Sequence, residues 1–339
     1  MQKIIIPLSK CIPGMITAQP IINLETGTTI LGQNIEITAE HIKDFSRFIY
    51  SDIWVYLDSS SKVWNLSSET IEKYKAYSNA LNTVVKNLSE NFAIDLDTFQ
   101  ELCNHLSIDF KENHSLLGCT HLIKSLSYDT YTHSLNVALL CILLCRWLHM
   151  DHTTLNHIIK AALLHDVGSI NLPFHSSKIL EGLTPEEQME YEKHPIYSYN
   201  IVSKMQDINP LVSKAILAHH EYLDGSGFPI HIKAPYIDTI TRILSIANTY
   251  ELLMKKHHIF DTLQILLEDY ITRLDADKLL TFCNFISTYY LGVFVTLSNG
   301  QIGQVVFINP KCLYRPIIKI NDIFINLYEE SSLKIISIE

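Results

Sequence analysis

The sequence predicts a mainly α chain: an all-helical central domain flanked by a small N-terminal α+β module and a small C-terminal β-rich module. Three observations predict it. Apolar residues recur at helical spacing almost throughout residues 116–254, and short β-type runs alternate with turns over residues 1–58. Two further strand-like runs about a Ser298-Asn299-Gly300 turn stand near the end of the chain.

In the first module, residues 3–7, 21–24 and 28–31 read as strands, with Glu25-Thr26-Gly27 as the turn between the second and third. Thr38 fits the N-cap of a short helix through Phe48, ahead of a further strand at 53–57. The serine-rich stretch 59–68 predicts a linker, followed by helical patterning from Glu69 to about Asn113 that is expected to join a sensing module to an effector. In the central domain Thr184-Pro185-Glu186-Glu187 fits a capping box, Asn209-Pro210 an N-cap with its first-turn proline, and Gly168 and Gly225 helix stops. Helical spacing continues to about Tyr290, after which residues 293–297, 302–308 and 316–320 read as strands. The expected divisions are therefore 1–58, 59–115, 116–260, 261–290 and 291–339, with no internal repeat or low-complexity segment.

Composition limits the functional classes. With 339 residues, 47% hydrophobic and 18% charged, the chain can bury a sizeable core. Its 26 Lys and Arg against 36 Asp and Glu, net −10, argue against a general grip on a DNA or RNA polymer or on an anionic membrane. An anionic ligand must then be held locally, by metal or a few basic groups. The longest apolar run, 137–145, is too short to cross a bilayer and ends at Arg146, which predicts a buried helix. Residues 1–15 lack the continuous apolar stretch of a signal peptide, so a cytoplasmic protein is expected. The 7 cysteines are scattered without metal-type pair spacing, and Cys141 and Cys145 fall in the apolar run, where buried thiols are ordinary.

Chemistry concentrates in five of the 16 histidines. His165 and Asp166, in AALLHDVGS at the end of an apolar helix, can aim an imidazole nitrogen and a carboxylate at one point, which suits a divalent cation with mixed N/O ligands. A lone His-Asp pair is usually a surface accident, so its companions decide. His219 and His220 end a helix ahead of a glycine-rich loop in HHEYLDGSGFP. Neighbouring side chains on a helix point about 100° apart, so these rings suit adjacent metals, or one metal and its substrate. His194 heads the His194-Pro195 helix start, and His133 lies on a helix beginning near Tyr128, with Asp129 one turn earlier on the same face. Each alone reads more simply as a solvated or satisfied histidine. Four such clusters in one helical domain point to a metal centre.

The order YTHSLNVA from Tyr131, HDVGS from His165, LTPEE from Leu183, HP at His194, HHEYLDGSGFP from His219 and RILSIANTYE from Arg242 resembles the HD-GYP branch of the HD phosphohydrolase superfamily, over residues 116–256. The flanks resemble, more loosely, the small terminal modules of some clostridial members. The resemblance implies an HD-type metallophosphohydrolase domain with two or three divalent metals, often iron or manganese. It also implies hydrolysis of the bacterial second messenger cyclic di-GMP, or of a related cyclic dinucleotide, to linear pGpG or GMP. The family ligands fall on His133, His165, Asp166, His194, His219 and His220, with Asp166 bridging and Asp129 standing where three-metal members carry a glutamate. In such a centre paired cations lower the pKa of a bridging water, held at His165 and Asp166, and neutralise charge that builds on the phosphate oxygens. Substrate contacts are expected from Ser169, Tyr222, Asp224, Gly225, Gly227, Phe228, Pro229, Lys255 and Lys256.

Departures from the family pattern bear on turnover. Ser169 replaces the lysine of the usual His-Asp-x-Gly-Lys motif. Asn248 replaces a late aspartate ligand with an amide oxygen that binds hard cations less well, so one metal is expected to be weakly held. His257 to Phe260 replace an Arg-Pro-Tyr-Arg/Lys stretch of phosphate-binding cations, for which Lys255 and Lys256 can substitute unless they only solvate a helix end. Phe228 replaces the tyrosine of the name motif. Glu221 and Asp224 read either as partners that orient the histidines or as a helix end and a turn. The other histidines read as structural or exposed. The leading expectation is a cyclic dinucleotide phosphodiesterase whose terminal modules sense, dimerise or position, with a homodimer and a signalling protein as prospective partners. The alternative is a catalytically weakened metal- or nucleotide-binding module that works through protein contacts. A phosphohydrolase of a different nucleotide is the third reading.

Overall fold

Alternating β-branched and turn residues build two small sheets at the start of the chain. The computed structural model describes residues 2–7, 11, 15–22, 28–33, 35–38, 40–42, 52–57, 68–91, 96–110, 117–120, 130–174, 182–205, 208–321 and 323–338. Short strands β1 (Gln2–Pro7), β2 (Ile16–Thr17), β3 (Ile21–Ile22), β4 (Thr29–Leu31) and β5 (Asp52–Leu57) form an antiparallel β1-β5-β2 sheet and a separate β3-β4 pair. Cys11, Ile21, Leu31, Ile37, Ile53 and Val55 supply their core. Thr38 Oγ1 accepts the amide of His41 at 3.2 Å, as an N-cap does. The expected turn at 25–27, most of the helix through Phe48 and the linker at 59–67 lie outside the described residues.

The central helices are α1 (Ser68–Asn91), α2 (Leu96–Asp109), α3 (Thr130–Trp147), α4 (His152–Leu164), α5 (Pro185–Tyr191), α6 (His194–Val202), α7 (Pro210–Ala218), α8 (Thr239–Lys256), α9 (Ile259–Glu268) and α10 (Ala276–Thr288). A short 3-10 turn, Val167–Asn171, follows α4. Trp64–Ile286 form one compact unit; Met1–Val63 and Ser287–Glu339 form another. The apolar run 137–145 lies within α3, none of its side chains more than 2% exposed. It is apolar all round because it is wrapped all round: α1, α4 and α8 pack against α3. Arg146, which ends the run, donates to the carbonyls of Ser107 and Phe110 at the end of α2. On the other side α7 packs on α4, α6 and α8, and the 3-10 turn lies against α6.

Caps set where these helices start. Thr184 and Glu187 form the full capping box of α5, and Asn209 Oδ1 accepts the amide of Leu211 at the start of α7. The two expected glycine stops are different devices. α4 ends at Leu164 with His165 as its C-cap, and Gly168 sits inside the 3-10 turn. α7 ends at Ala218 with His219 as C-cap, and Gly225 lies further on, at φ +82°, in a loop turn.

The last module is an antiparallel sheet in the order β10-β6-β7-β8-β9, from β6 (Phe294–Leu297), β7 (Ile302–Phe307), β8 (Ile317–Ile320), β9 (Ile323–Asn326) and β10 (Ile335–Ile338). Gly300, at φ +82°, makes the β6–β7 turn as its sequence suggests. Among the described residues no helix is long and apolar enough to cross a membrane.

Candidate metal centre

Helix ends bring the candidate ligands together. α4 delivers His165 and Asp166, α3 carries His133, α6 begins at His194, and α7 gives way to His219 and His220. They fall into two groups of three, His133 with His165 and Asp166, and His194 with His219 and His220; within each, the donor atoms lie within 4.8 Å of one another, so His219 and His220 share one group rather than serving adjacent metals, the helix having ended at Ala218 before them. Asp166 faces both. Its Oδ1 is 3.1 Å from His194 Nε2, 3.5 Å from His165 Nε2 and 3.6 Å from His219 Nε2, and its Oδ2 is 3.5 Å from His133 Nε2. Asp129 lies outside the described residues.

The hydrogen bonds behind the rings decide which nitrogens face inward. His165 Nδ1 donates to Ala162 O at 2.8 Å, and His194 and His219 Nδ1 donate to Tyr191 O and Ile216 O, both at 2.7 Å. A carbonyl can only accept, so each Nδ1 carries the proton and each neutral ring presents a lone pair at Nε2. His133 Nδ1, 2.6 Å from Glu251 Oε2, is fixed as a donor in the same way. Yet His165 Nε2 lies 3.1 Å from His133 Nε2, and His194 Nε2 lies 3.2 Å from His219 Nε2. Lone pair faces lone pair twice, an arrangement that a cation between the nitrogens makes favourable. Two imidazoles each about 2.1 Å from one ion stand about 3 Å apart when at right angles, so the spacing fits. Asp166 Oδ1 is also buried without a hydrogen bond of good geometry. The donor set, imidazoles and a carboxylate, suits divalent transition metals.

Electrostatics keep these groups in ligand form. Burial pushes the His165 imidazole down to about 3, and lowers His219 and His220 as well, so the rings stay neutral. Burial alone would raise the Asp166 carboxyl, yet it lies well below the usual carboxylate range, an anion among the rings.

The loop after the paired histidines folds back on them. Phe228 stacks on His220, centroids 4.4 Å apart and planes 20° apart. Buried Glu221 accepts the amides of Ile230 and His231 at 2.6 and 2.9 Å, so its carboxylate clasps the loop across Pro229 rather than orienting a histidine. Asp224 is exposed and accepts from Ser226, the turn reading of that residue. A Cβ on Gly227 would stand 2.4 Å from His220 O and 2.5 Å from the Tyr222 nitrogen, so only glycine lets the loop approach. Tyr222 turns instead to Tyr270 and Arg273, 5.7 and 5.8 Å away.

The remaining expected positions separate. Ser169 is half-buried in the 3-10 turn and supplies no cation. Asn248 is buried, its Oδ1 without a hydrogen-bond partner. Lys256 is exposed, whereas Lys255, within α8 and only 11% exposed in its side chain, reaches Glu251 Oε2 at 2.7 Å. His258 caps α9 through Asp261, and Phe260 is buried. Glu251 itself was not among the expected site residues. It closes RILSIANTYE, one turn after Asn248 and one turn before Lys255, and that helical spacing was the available signal. Burial works to raise the Glu251 carboxyl, but His133 and Lys255 overcome it and hold it at about 2.

Residues 118–274 match the HD domain family. The chain is 28% identical over 211 residues to a cyclic di-GMP phosphodiesterase of Borreliella burgdorferi, covering 60% of this chain and 55% of that protein. It is 25% identical over 235 residues to a cyclic di-GMP phosphodiesterase of Pseudomonas aeruginosa, covering 67% and 56% respectively. A 3'3'-cGAMP-specific phosphodiesterase of Vibrio cholerae is 27% identical over 187 residues, covering 54% and 35%. The chain thus spans about half the length, or less, of the curated relatives it matches. A solved HDG"Y"P protein from Bdellovibrio bacteriovorus has the same fold, with a TM-score of 0.56 at 16% identity over 84% of this chain and 99% of that one. The match to the HD domain family thus covers residues 118–274, in a chain similar in sequence to phosphodiesterases of cyclic dinucleotides and similar in fold to the Bdellovibrio protein.

Proposed function

We propose that the helical unit hydrolyses a phosphodiester bond of a cyclic dinucleotide, cyclic di-GMP or a close relative such as 3'3'-cGAMP, with two divalent metals, iron or manganese. His133, His165 and Asp166 would hold one, and His194, His219 and His220 the other, with Asp166 shared. The observation that carries this reading is the pair of facing Nε2 contacts with Asp166 Oδ1 between them. Bound metals supply an activated water and neutralise charge on the phosphate oxygens during displacement. The chain's own part is preparation: backbone carbonyls hold three rings in the ligand tautomer, Asp166 stays anionic, and Glu221 and Gly227 keep the loop closed on His220. Relatives named for cyclic di-GMP and cGAMP hydrolysis support the substrate class.

The test is anaerobic purification without chelator, elemental analysis, and product chromatography on cyclic di-GMP and 3'3'-cGAMP with iron and with manganese. Linear product from metal-loaded protein is expected. A folded, metal-loaded protein that leaves both nucleotides intact overturns the reading. A second reading, a weakened centre that binds without turnover, is favoured by what stands where the family pattern has cations: Ser169 is neutral, and Phe260 is apolar and buried. One substitution probes the weak point directly. Asn248→Asp places an anionic oxygen where a buried amide oxygen has no partner, so metal content per chain should rise, and with it any hydrolysis. Unchanged metal content in the folded variant would remove Asn248 from the centre.

A further inference from the structure

We propose that Glu251 is the positioning residue for His133, and that Lys255, Asn136 and Tyr74 act through it to set the metal affinity of the His133, His165 and Asp166 group. This rests on the metal-centre reading, though not on hydrolysis. Three candidate ligands are oriented locally, each by a carbonyl three residues earlier. His133 differs: its Nδ1 partner is a side chain 118 residues away in sequence, on α8. Its orientation therefore depends on how α3 and α8 pack, and on what holds the Glu251 carboxylate.

That carboxylate is buried and held from both oxygens. Oε2 receives His133 Nδ1 at 2.6 Å and Lys255 Nζ at 2.7 Å, and Oε1 receives Asn136 Nδ2 at 3.4 Å. Asn136 Oδ1 in turn accepts the Tyr74 hydroxyl at 3.1 Å, so the chain of contacts reaches α1. Lys255 Nζ also lies 3.1 Å from His133 Nδ1, but that contact is not a hydrogen bond. Were Nδ1 the acceptor, its lone pair would press on a carboxylate oxygen at 2.6 Å. Ammonium and imidazole therefore both donate to Glu251, which fixes the proton on Nδ1 and turns the Nε2 lone pair to the centre. Without Lys255 the buried carboxylate loses its one full countercharge among these contacts, and without Asn136 it loses the bond that fixes its second oxygen.

Metal competition with a chromogenic chelator, using Mn(II) and Fe(II) separately, measures the affinity of each equivalent; long-range proton–nitrogen NMR on the metal-free protein with labelled histidine reads the His133 tautomer. Glu251→Gln should lose about 10–100-fold in affinity for one of two equivalents, the range for removing an outer hydrogen-bond partner of a metal-bound histidine, while His133 leaves the pure Nδ1–H form. Lys255→Met and Tyr74→Phe should each weaken the same equivalent by about tenfold, with Lys255→Arg keeping wild-type affinity. Tyr74→Phe removes one hydroxyl remote from the metals, so it decides the matter should Glu251→Gln fail to fold. The proposal is overturned by a wild-type His133 split between tautomers, by Lys255→Met and Tyr74→Phe proteins that bind both equivalents as the wild type does, or by equal loss of both equivalents with the tautomer unchanged. A wild type that binds two metals and cleaves nothing overturns the phosphodiesterase reading and leaves this one standing.

Discussion

Asp166→Ala is expected to strip most of the metal from both groups at once and to reduce hydrolysis by on the order of 10³-fold or more, the upper range for losing a single preorganised electrostatic group. The size follows from position. One carboxylate oxygen lies within 3.1–3.6 Å of ring nitrogens from both groups, and the other faces His133, so among the described residues it is this carboxylate that serves both. Asp166→Asn is the informative companion: it keeps the shape and one oxygen, loses the charge, and should lose metal nearly as fully. A second readout is independent of turnover. A ligand that binds only the folded state stabilises it by about 2.7 kcal/mol at a hundredfold excess over Kd, so manganese should raise the wild-type melting temperature and leave that of Asp166→Ala unmoved. Two tightly held equivalents in the alanine variant would refute the shared role.

Gly168→Ala should destabilise the helical unit by about 3 kcal/mol or more, at or beyond the upper end for adding one methyl group to a packed interior. The added carbon would stand 2.2 Å from Ser198 N, 2.6 Å from His194 O and 2.7 Å from Tyr197 C. These are backbone atoms of α6, so relief requires moving the helix that carries His194, and the buried bond from Gly168 N to Ser198 Oγ would stretch with it. Urea denaturation gives the loss of stability, and elemental analysis should show metal content falling in whatever protein still folds. Gly225→Ala is the control. Its φ of +82° predicts strain of about 1–2 kcal/mol, but the added carbon would meet chiefly the flexible Lys233 side chain. Equal effects of the two alanines would refute the close-approach account of Gly168.

The parts legible in the sequence were those with local signatures. The capping box at Thr184, the Asn209-Pro210 start and the Gly300 turn depend on three or four consecutive residues, and each forms as read. The mainly α architecture was legible because α3 and its neighbours bury long apolar stretches at helical spacing. Gly168 misled because a glycine can serve a close approach as well as a helix end, and only the packed structure shows α6 against it. β9 and β10 went unread: β9 follows β8 directly through Asn321 in a left-handed conformation, and both strands carry exposed apolar residues that blur alternation. In the site, the histidines and Asp166 were visible as motifs. Glu251 was not, because its partner His133 comes from α3, far away in sequence, and Lys255, read as a substrate contact or a solvated helix end, turns inward to that carboxylate.

The histidine bonds to Ala162, Tyr191 and Ile216 reach further than ring orientation. Each of those carbonyls lies in the last turn of α4, α5 or α7, where a helix runs out of its own donors. His165, His194 and His219 therefore finish helices as well as facing the centre, and replacing any of them removes a cap from the metal-free protein too. Selection for a folded chain alone would preserve these three, with or without chemistry. Asp166, whose carboxylate caps nothing, and His133, in the interior of α3, carry no such second duty.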